Sequence, residues 1–137
     1  LAFAASTNFL NWPCIILYFA GISWTLFYDT IYAHQDKEDD ALLGVKSTAI
    51  LFADRTKIWL FLFASLAAGL MIISFIISIN GFQMVIAIIG AVFFYFHMVW
   101  QLIKLDIQNS QNLLNNFRSN RNTGLIVVVF LSISILV

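Results

Sequence analysis

The hydrophobic positions of the chain fall into four long runs separated by polar connections. Residues 58–79 contain no ionisable side chain over 22 positions, and a helix of that length extends about 33 Å, enough to cross about 30 Å of hydrocarbon. Residues 84–103 form a second run, in which His97 and Gln101 are the strongly polar side chains. Because the segment between these runs is short, they are predicted to form an antiparallel transmembrane hairpin.

The other two runs lie near the ends of the chain. Asn11 and Pro13 predict a helix start. Asn accepts a hydrogen bond from a free backbone amide, and Pro in the first turn forfeits no hydrogen bond, because amides there have no partner within the helix. The span that follows is expected over residues 12–28. The last span, expected over residues 124–137, reaches only about 20 Å, which is too short to cross unless the chain continues or the membrane thins.

Basic side chains indicate how the spans are oriented. All seven Lys and Arg lie in the two polar connections, predicted over residues 29–57 and 104–123. With four spans, both connections lie on the same side of the membrane, and the positive-inside bias assigns that side to the cytoplasm or its organellar equivalent. The fold class predicted from the sequence is therefore all-α, a polytopic bundle of about four transmembrane helices in a lipid bilayer.

Composition agrees with a membrane protein and excludes other classes. Apolar residues make up 61% of the chain and charged residues 10%, against about 25% charged in soluble proteins. A net charge of zero gives no basic face for nucleic acid, and the single Cys14 excludes a disulfide framework or a Cys-based zinc site. We expect no secretory signal, and we expect the chain to be the downstream part of a longer protein.

Acidic residues are concentrated directly after the first span. Five of the seven lie between positions 29 and 40. If the first helix continues at 100° per residue, Asp29, Asp36 and Asp40 fall within about 40° of one another, with Tyr32 beside them and Glu38 opposite. Such carboxylates repel unless a cation lies between them, and Mg²⁺ typically takes one or two carboxylates together with water and phosphate oxygens. The alternative is a solvated acidic loop.

Groups that can bind an anion follow the acidic residues. They are Gly44, Lys46, Ser47 and Thr48. Carboxylates for a metal beside a cation for phosphate make the combination that a diphosphate site needs. The pattern therefore favours a metal and diphosphate site over a solvated loop.

The stretch YDTIYAHQDKEDDALLGVKSTAILF, residues 28–52, resembles the second aspartate-rich motif of the UbiA family of membrane prenyltransferases. Within that family it is most similar to the branch that prenylates 4-hydroxybenzoate in ubiquinone synthesis. The family motif is Asp-x-x-x-Asp, preceded by Asp-Thr-x-Tyr-Ala and followed by Gly-x-Lys-Ser-Thr-Ala. These places are occupied by Asp29, Thr30, Tyr32, Ala33, Asp36, Asp40, Gly44, Lys46, Ser47, Thr48 and Ala49.

The resemblance implies a larger fold. The family has nine transmembrane helices around a central cavity, and residues 1–137 resemble its sixth to ninth helices, the C-terminal part of one domain. The first family motif, Asn-Asp-x-x-Asp-x-x-x-Asp, is absent from the chain. Because the two motifs bind metal and diphosphate jointly in the family, the implied partners include the remaining N-terminal helices, and the isolated chain is expected to be inactive.

The resemblance also implies a reaction and roles for individual residues. The reaction is Mg²⁺-dependent transfer of a polyprenyl chain from polyprenyl diphosphate to the ring of 4-hydroxybenzoate, with release of pyrophosphate. Asp36 and Asp40 would hold Mg²⁺, with Asp39 as a reserve ligand or an outer acceptor. Lys46 would contact the diphosphate, unless it reaches to lipid headgroups.

Two residues that directly follow the predicted first span have open roles. Tyr32 could stabilise the allylic cation through its ring or pack at the membrane interface. Asp29 could orient the metal ligands without binding the metal itself, or act as a structural hydrogen-bond acceptor. Both are counted among the candidate substrate-binding residues.

Further polar residues follow downstream. His97 could mark a substrate path or bond to another helix, whereas Gln101 is expected to form an interhelical hydrogen bond. Arg118 and Arg121 could enforce topology or attract anionic lipid.

Alternative functions remain open at this point. Relatives with similar acidic loops prenylate haem, homogentisate or naphthoate. A non-enzymatic four-helix scaffold or cation channel would place charges along a pore. The spans predicted over residues 58–79 and 124–137 carry no charged side chain. The expected location is the bacterial inner membrane or, alternatively, the mitochondrial inner membrane.

Overall fold

The computed structural model describes residues 11–137, and the described part of the chain is a bundle of helices, as predicted. Within it, four helical runs are long and apolar enough to cross a membrane. The helices are α1 (Trp12–Ala33), α2 (Lys37–Leu43), α3 (Thr48–Phe52), α4 (Thr56–Ser78), α5 (Gly81–Lys104) and α6 (Ser110–Leu136), with a 3₁₀ turn at Ala53–Arg55 between α3 and α4.

The beginning of α1 agrees with the sequence prediction. The Asn11 side chain accepts a hydrogen bond from the Cys14 amide at 3.1 Å, and Pro13 lies in the first turn. The helix continues to Ala33, five residues beyond the predicted end of the span. Its last two turns therefore carry Asp29 and Tyr32.

The last helix begins earlier than the sequence predicted. α6 starts at Ser110, inside the predicted connection 104–123, because the Asn109 side chain caps it by accepting from the Asn112 amide at 3.0 Å. Its 27 residues extend about 40 Å. The expectation that the last run is too short to cross is therefore wrong, since the helix gains about four turns from the polar segment.

The four long helices pack side by side in a ring, so that each contacts two neighbours. α1 packs on α4, α4 on α5, α5 on α6, and α6 closes the ring against α1. Large side chains such as Phe27, Leu60 and Phe94 are fully buried between them. On α5 the small residues Ala87 and Ala91 are also buried, which allows the close approach of a neighbouring helix.

Both polar connections lie at the same end of the bundle, as the distribution of Lys and Arg required. The Gln35 side chain, in the first connection, donates to the Ser110 carbonyl at the end of the second, at 3.4 Å. At the opposite end, the Ser74 hydroxyl donates to the Pro13 carbonyl at 2.9 Å. The acidic connection is therefore anchored to the start of α6.

A polar cluster joins α5 to α6. Gln101 is fully buried, and its Nε2 donates to the Thr123 hydroxyl at 2.9 Å. The same hydroxyl lies 2.8 Å from His97 Nδ1. The predicted interhelical role of Gln101 is confirmed, and His97 shares it.

A second polar contact joins α1 to α6. Trp24 Nε1 donates to Asn120 Oδ1 at 3.1 Å, and Asn120 Nδ2 donates to the Asn116 carbonyl at 3.2 Å. The Trp24 ring also packs edge-on against Phe94 of α5, with centroids 5.4 Å apart. Trp24 therefore connects three helices.

Replacing Asn120 with Ala is expected to weaken this connection. The Trp24 indole N–H would lose its acceptor, which costs about 0.5–1.5 kcal/mol. Thermal unfolding of the full-length protein in detergent would measure the loss. In a Trp24→Phe background the same Asn120→Ala change should cost much less, and an equal cost in both backgrounds would show that the bond does not contribute.

Candidate functional site

The acidic residues after Asp29 lie at the start of a short helix of their own, α2, rather than on α1. α1 ends at Ala33, where the His34 amide donates to the Ile31 carbonyl at 3.3 Å and the Gln35 amide to the Tyr32 carbonyl at 2.9 Å. These i to i+3 bonds tighten the last turn and end the helix. The prediction that Asp29 shares one continuous helical stripe with the later carboxylates is therefore wrong.

Asp36 and Asp40 are nevertheless brought together, because α2 begins directly after Asp36. The Asp40 amide donates to the Asp36 carbonyl at 2.8 Å, so the two residues are one helical turn apart. Residues four apart lie on one face of a helix, whereas Asp39 lines a separate open groove together with His34 and Glu38. Glu38, two positions from each of the pair, lies about 200° away.

A left-handed glycine ends this short helix and redirects the chain. Gly44 has φ +70°, a conformation that costs other residues about 1–2 kcal/mol, and the Val45 amide then donates to the Asp40 carbonyl at 2.8 Å. Lys46 follows as an exposed cation. The glycine of the sequence motif thus separates the carboxylates from the lysine by a single tight turn.

The acidic pair fits part of a magnesium site. Asp36 and Asp39 are exposed and Asp40 is half-buried, and within residues 11–137 the Asp36 carboxylate caps no helix. In the same part of the chain, no group of three or more His, Cys, Asp or Glu side chains lies close enough to hold a metal ion. Since Mg²⁺ needs only one or two protein carboxylates when phosphate and water complete its shell, the pair suits a shared site.

Asp29 and Tyr32 lie apart from the acidic pair, on the last turns of α1. Asp29 is exposed. The Tyr32 ring packs against Phe117 of α6 with centroids 4.9 Å apart, and Tyr28 packs against the same ring at 5.9 Å. Tyr32 is still 43% exposed, so its ring retains a free surface beside Asp29.

An open groove of about 660 Å³ runs along the Tyr28 and Phe117 rings. Arg118 and Arg121 line it together with Trp24, Tyr28, Phe117 and Asn120. Both arginines are exposed. From the sequence, these arginines were expected only to enforce the membrane topology or to attract anionic lipid. Their proximity to the rings of α1 was not predictable, because it depends on how α6 packs.

One buried residue near the acidic pair had no role assigned from the sequence. His34 is only 7% exposed, and its Nε2 lies 3.1 Å from the hydroxyl of Thr56 at the start of α4. Burial lowers the pKa of the His34 imidazole below its usual value, and the nearby Lys37 cation lowers it further. We infer that His34 is neutral at physiological pH.

Comparison with known proteins identifies the family. A sequence model of the UbiA prenyltransferase family matches residues 1–133. The chain belongs to the UbiA prenyltransferase family. It is 41% identical over 133 residues to the mitochondrial 4-hydroxybenzoate polyprenyltransferase of Dictyostelium discoideum. It is 45% identical over 119 residues to that of Bos taurus and 46% identical over 116 residues to that of Homo sapiens.

The matches cover most of this chain and a minor part of each relative. They span 96% of the chain for the Dictyostelium protein and 83% for the bovine and human proteins. The same matches span 28–30% of the relatives' lengths. No solved structure matches the chain. The family assignment agrees with the resemblance found in residues 28–52.

Proposed function

We propose that the protein containing this chain transfers a polyprenyl group from polyprenyl diphosphate to the ring of 4-hydroxybenzoate. The observation that supports this most is the acidic pair, Asp36 and Asp40, held one turn apart just after the end of α1. It occurs in a chain 46% identical to a human protein named for that reaction. Ubiquinone synthesis is the corresponding pathway.

The reaction poses one main physical problem. The allylic C–O bond of the diphosphate breaks, a C–C bond forms at the ring carbon beside the hydroxyl, and that carbon loses its proton to the released pyrophosphate. The departing diphosphate gathers negative charge, so groups that are already positive and fixed in place lower the barrier most. When bound, Mg²⁺ supplies most of this charge.

Side chains of the acidic connection and of the end of α1 would bind the metal and the diphosphate and stabilise the allylic cation. Asp36 and Asp40 would hold the metal, with Asp39 as a reserve ligand. Lys46 contacts the diphosphate oxygens as a point charge. The free surface of the Tyr32 ring faces the developing allylic cation, and Asp29 supports the substrate beside it.

These residues form one half of the site. We propose that residues 1–137 are the C-terminal part of a nine-helix domain and that the remaining helices supply the other carboxylates. This assignment agrees with the relatives, of which the chain spans less than a third. The isolated chain is accordingly expected to be inactive.

The proposed location is an inner membrane. The mitochondrial location in the names of the relatives supports the mitochondrial inner membrane, the second of the two locations predicted from the sequence. The bacterial inner membrane stays a prediction. Fractionation of the native source, followed by detection of the protein, would distinguish the two.

A transfer assay tests the function. Membranes that contain the full-length protein would receive radiolabelled polyprenyl diphosphate, 4-hydroxybenzoate and Mg²⁺, and labelled prenylated product would be measured with and without a chelator. Product that disappears with the chelator supports the proposal. Product only with homogentisate, naphthoate or haem would overturn the acceptor, and no product with any acceptor would overturn the transferase assignment.

A further inference from the structure

The two ends of the acidic connection are joined by a buried hydrogen bond. His34 follows the last residue of α1, and Thr56 is the first residue of α4. Thr56 is fully buried and His34 nearly so, with 3.1 Å between Nε2 and Oγ1. The 21 residues between them include every candidate metal ligand and Lys46.

The direction of this bond follows from the second contact of Thr56. The Thr56 hydroxyl has one proton, which it donates to the Ala53 carbonyl at 2.7 Å. Its oxygen must therefore accept from His34, so the imidazole carries its proton on Nε2. This agrees with His34 Nδ1, which is buried and has no hydrogen-bond partner within the described residues.

The same bond supports a strained turn. Ala53 has φ +41°, which is unfavourable for a residue with a Cβ. The Thr56 hydroxyl holds the Ala53 carbonyl, and His34 holds that hydroxyl. The chain of two bonds therefore fixes the turn between α3 and α4 to the end of α1.

We propose that His34 is a positioning residue for the diphosphate site, because its bond to Thr56 closes residues 35–55 into a loop of fixed width. Closing a loop at its base restricts the positions that its residues can take. The consequence is a fixed spacing between the Asp36 and Asp40 carboxylates and the Lys46 cation. This inference rests on the proposed function, since it assigns His34 to the same site.

The test is a set of substitutions in the full-length protein in membranes. His34→Ala is expected to raise the half-saturating Mg²⁺ concentration and the KM for polyprenyl diphosphate roughly fivefold to tenfold, the loss expected for one buried hydrogen bond. The KM for 4-hydroxybenzoate should not change. Thr56→Val should have the same effect, and combining it with His34→Ala should add little.

Conservative variants separate positioning from general stability. His34→Gln keeps a donor near Nε2 and should restore wild-type Mg²⁺ dependence, whereas His34→Asn is too short to reach Thr56 and should not. His97→Ala is the matched control, because it breaks a similar bond to Thr123 away from the loop. It should lower thermal stability without changing the Mg²⁺ requirement.

Hydrogen exchange tests the same bond without any activity. In His34→Ala and Thr56→Val, amides of residues 36–45 should exchange faster than in the wild type, while those of α5 should not, and His34→Gln should restore protection. Unchanged exchange, or an Mg²⁺ requirement raised equally by His97→Ala, would overturn the inference. An inactive wild type with faster loop exchange in His34→Ala would overturn the proposed function and leave the loop closure supported.

Discussion

Asp36→Asn and Asp40→Asn are each expected to reduce prenyl transfer by about 10²–10³-fold, the loss typical when a group that stabilises developing charge is removed. Asn keeps the size of the side chain and one oxygen but removes the negative charge that would attract Mg²⁺. Asp36 directly precedes α2, and Asp40 lies one turn further along the chain. Initial rates in membranes containing the full-length protein, measured over a range of Mg²⁺ concentrations, would show the effect.

Glu38→Gln is the matched control. It removes the same charge from the same short helix, but its side chain lies about 200° from those of Asp36 and Asp40. Activity should stay within about twofold of the wild type, the range expected for a screened surface charge. If all three variants retain similar activity, the acidic residues form a solvated loop, and the proposed metal site is wrong.

The spans of this bundle were predictable because their signals are local. A run of apolar residues long enough to cross hydrocarbon needs no partner to be recognised, and the Asn11 cap with Pro13 depends on adjacent residues. The distribution of Lys and Arg also placed both connections at one end, where Gln35 bonds to Ser110. These features follow from neighbouring residues and the bilayer.

The boundaries that were missed depend on contacts distant in sequence. Residues 109–122 are too polar to suggest a helix that enters the bundle, yet α6 begins at Ser110. Leu113, Asn116 and Asn120 are buried there, and Asn120 bonds to Trp24, 96 positions away. Hydropathy carries no information about such a partner.

The candidate site also has features that adjacent residues predict and features that depend on residues distant in sequence. The Asp-x-x-x-Asp spacing predicted that Asp36 and Asp40 lie one helical turn apart, whereas Gly44 was named only as a group able to bind an anion, and its left-handed conformation emerges only from the structure. His34 was visible as a histidine beside the acidic run, but its role depends on Thr56, 22 positions later. The end of α1 at Ala33 was equally hidden, because residues 29–43 contain neither Gly nor Pro.

Gly90→Ala is expected to separate α5 from α6. A Cβ added at Gly90 would lie 2.5 Å from Cβ of Phe130, and an atom so near the backbone of α6 can move only if the helix moves. Overpacking of this kind costs about 1–3 kcal/mol. Thermal unfolding of the full-length protein in detergent should show a clearly lower midpoint.

Gly69→Ala provides the matched control for this change. Gly69 lies within α4, and a Cβ added there would meet nothing within 4 Å. Since Ala is favoured over Gly inside a helix by about 0.8–1 kcal/mol, this variant should be as stable as the wild type or more stable. Equal destabilisation by both substitutions would show that helix flexibility at glycine, rather than the contact of Gly90 with Phe130, determines how these helices pack.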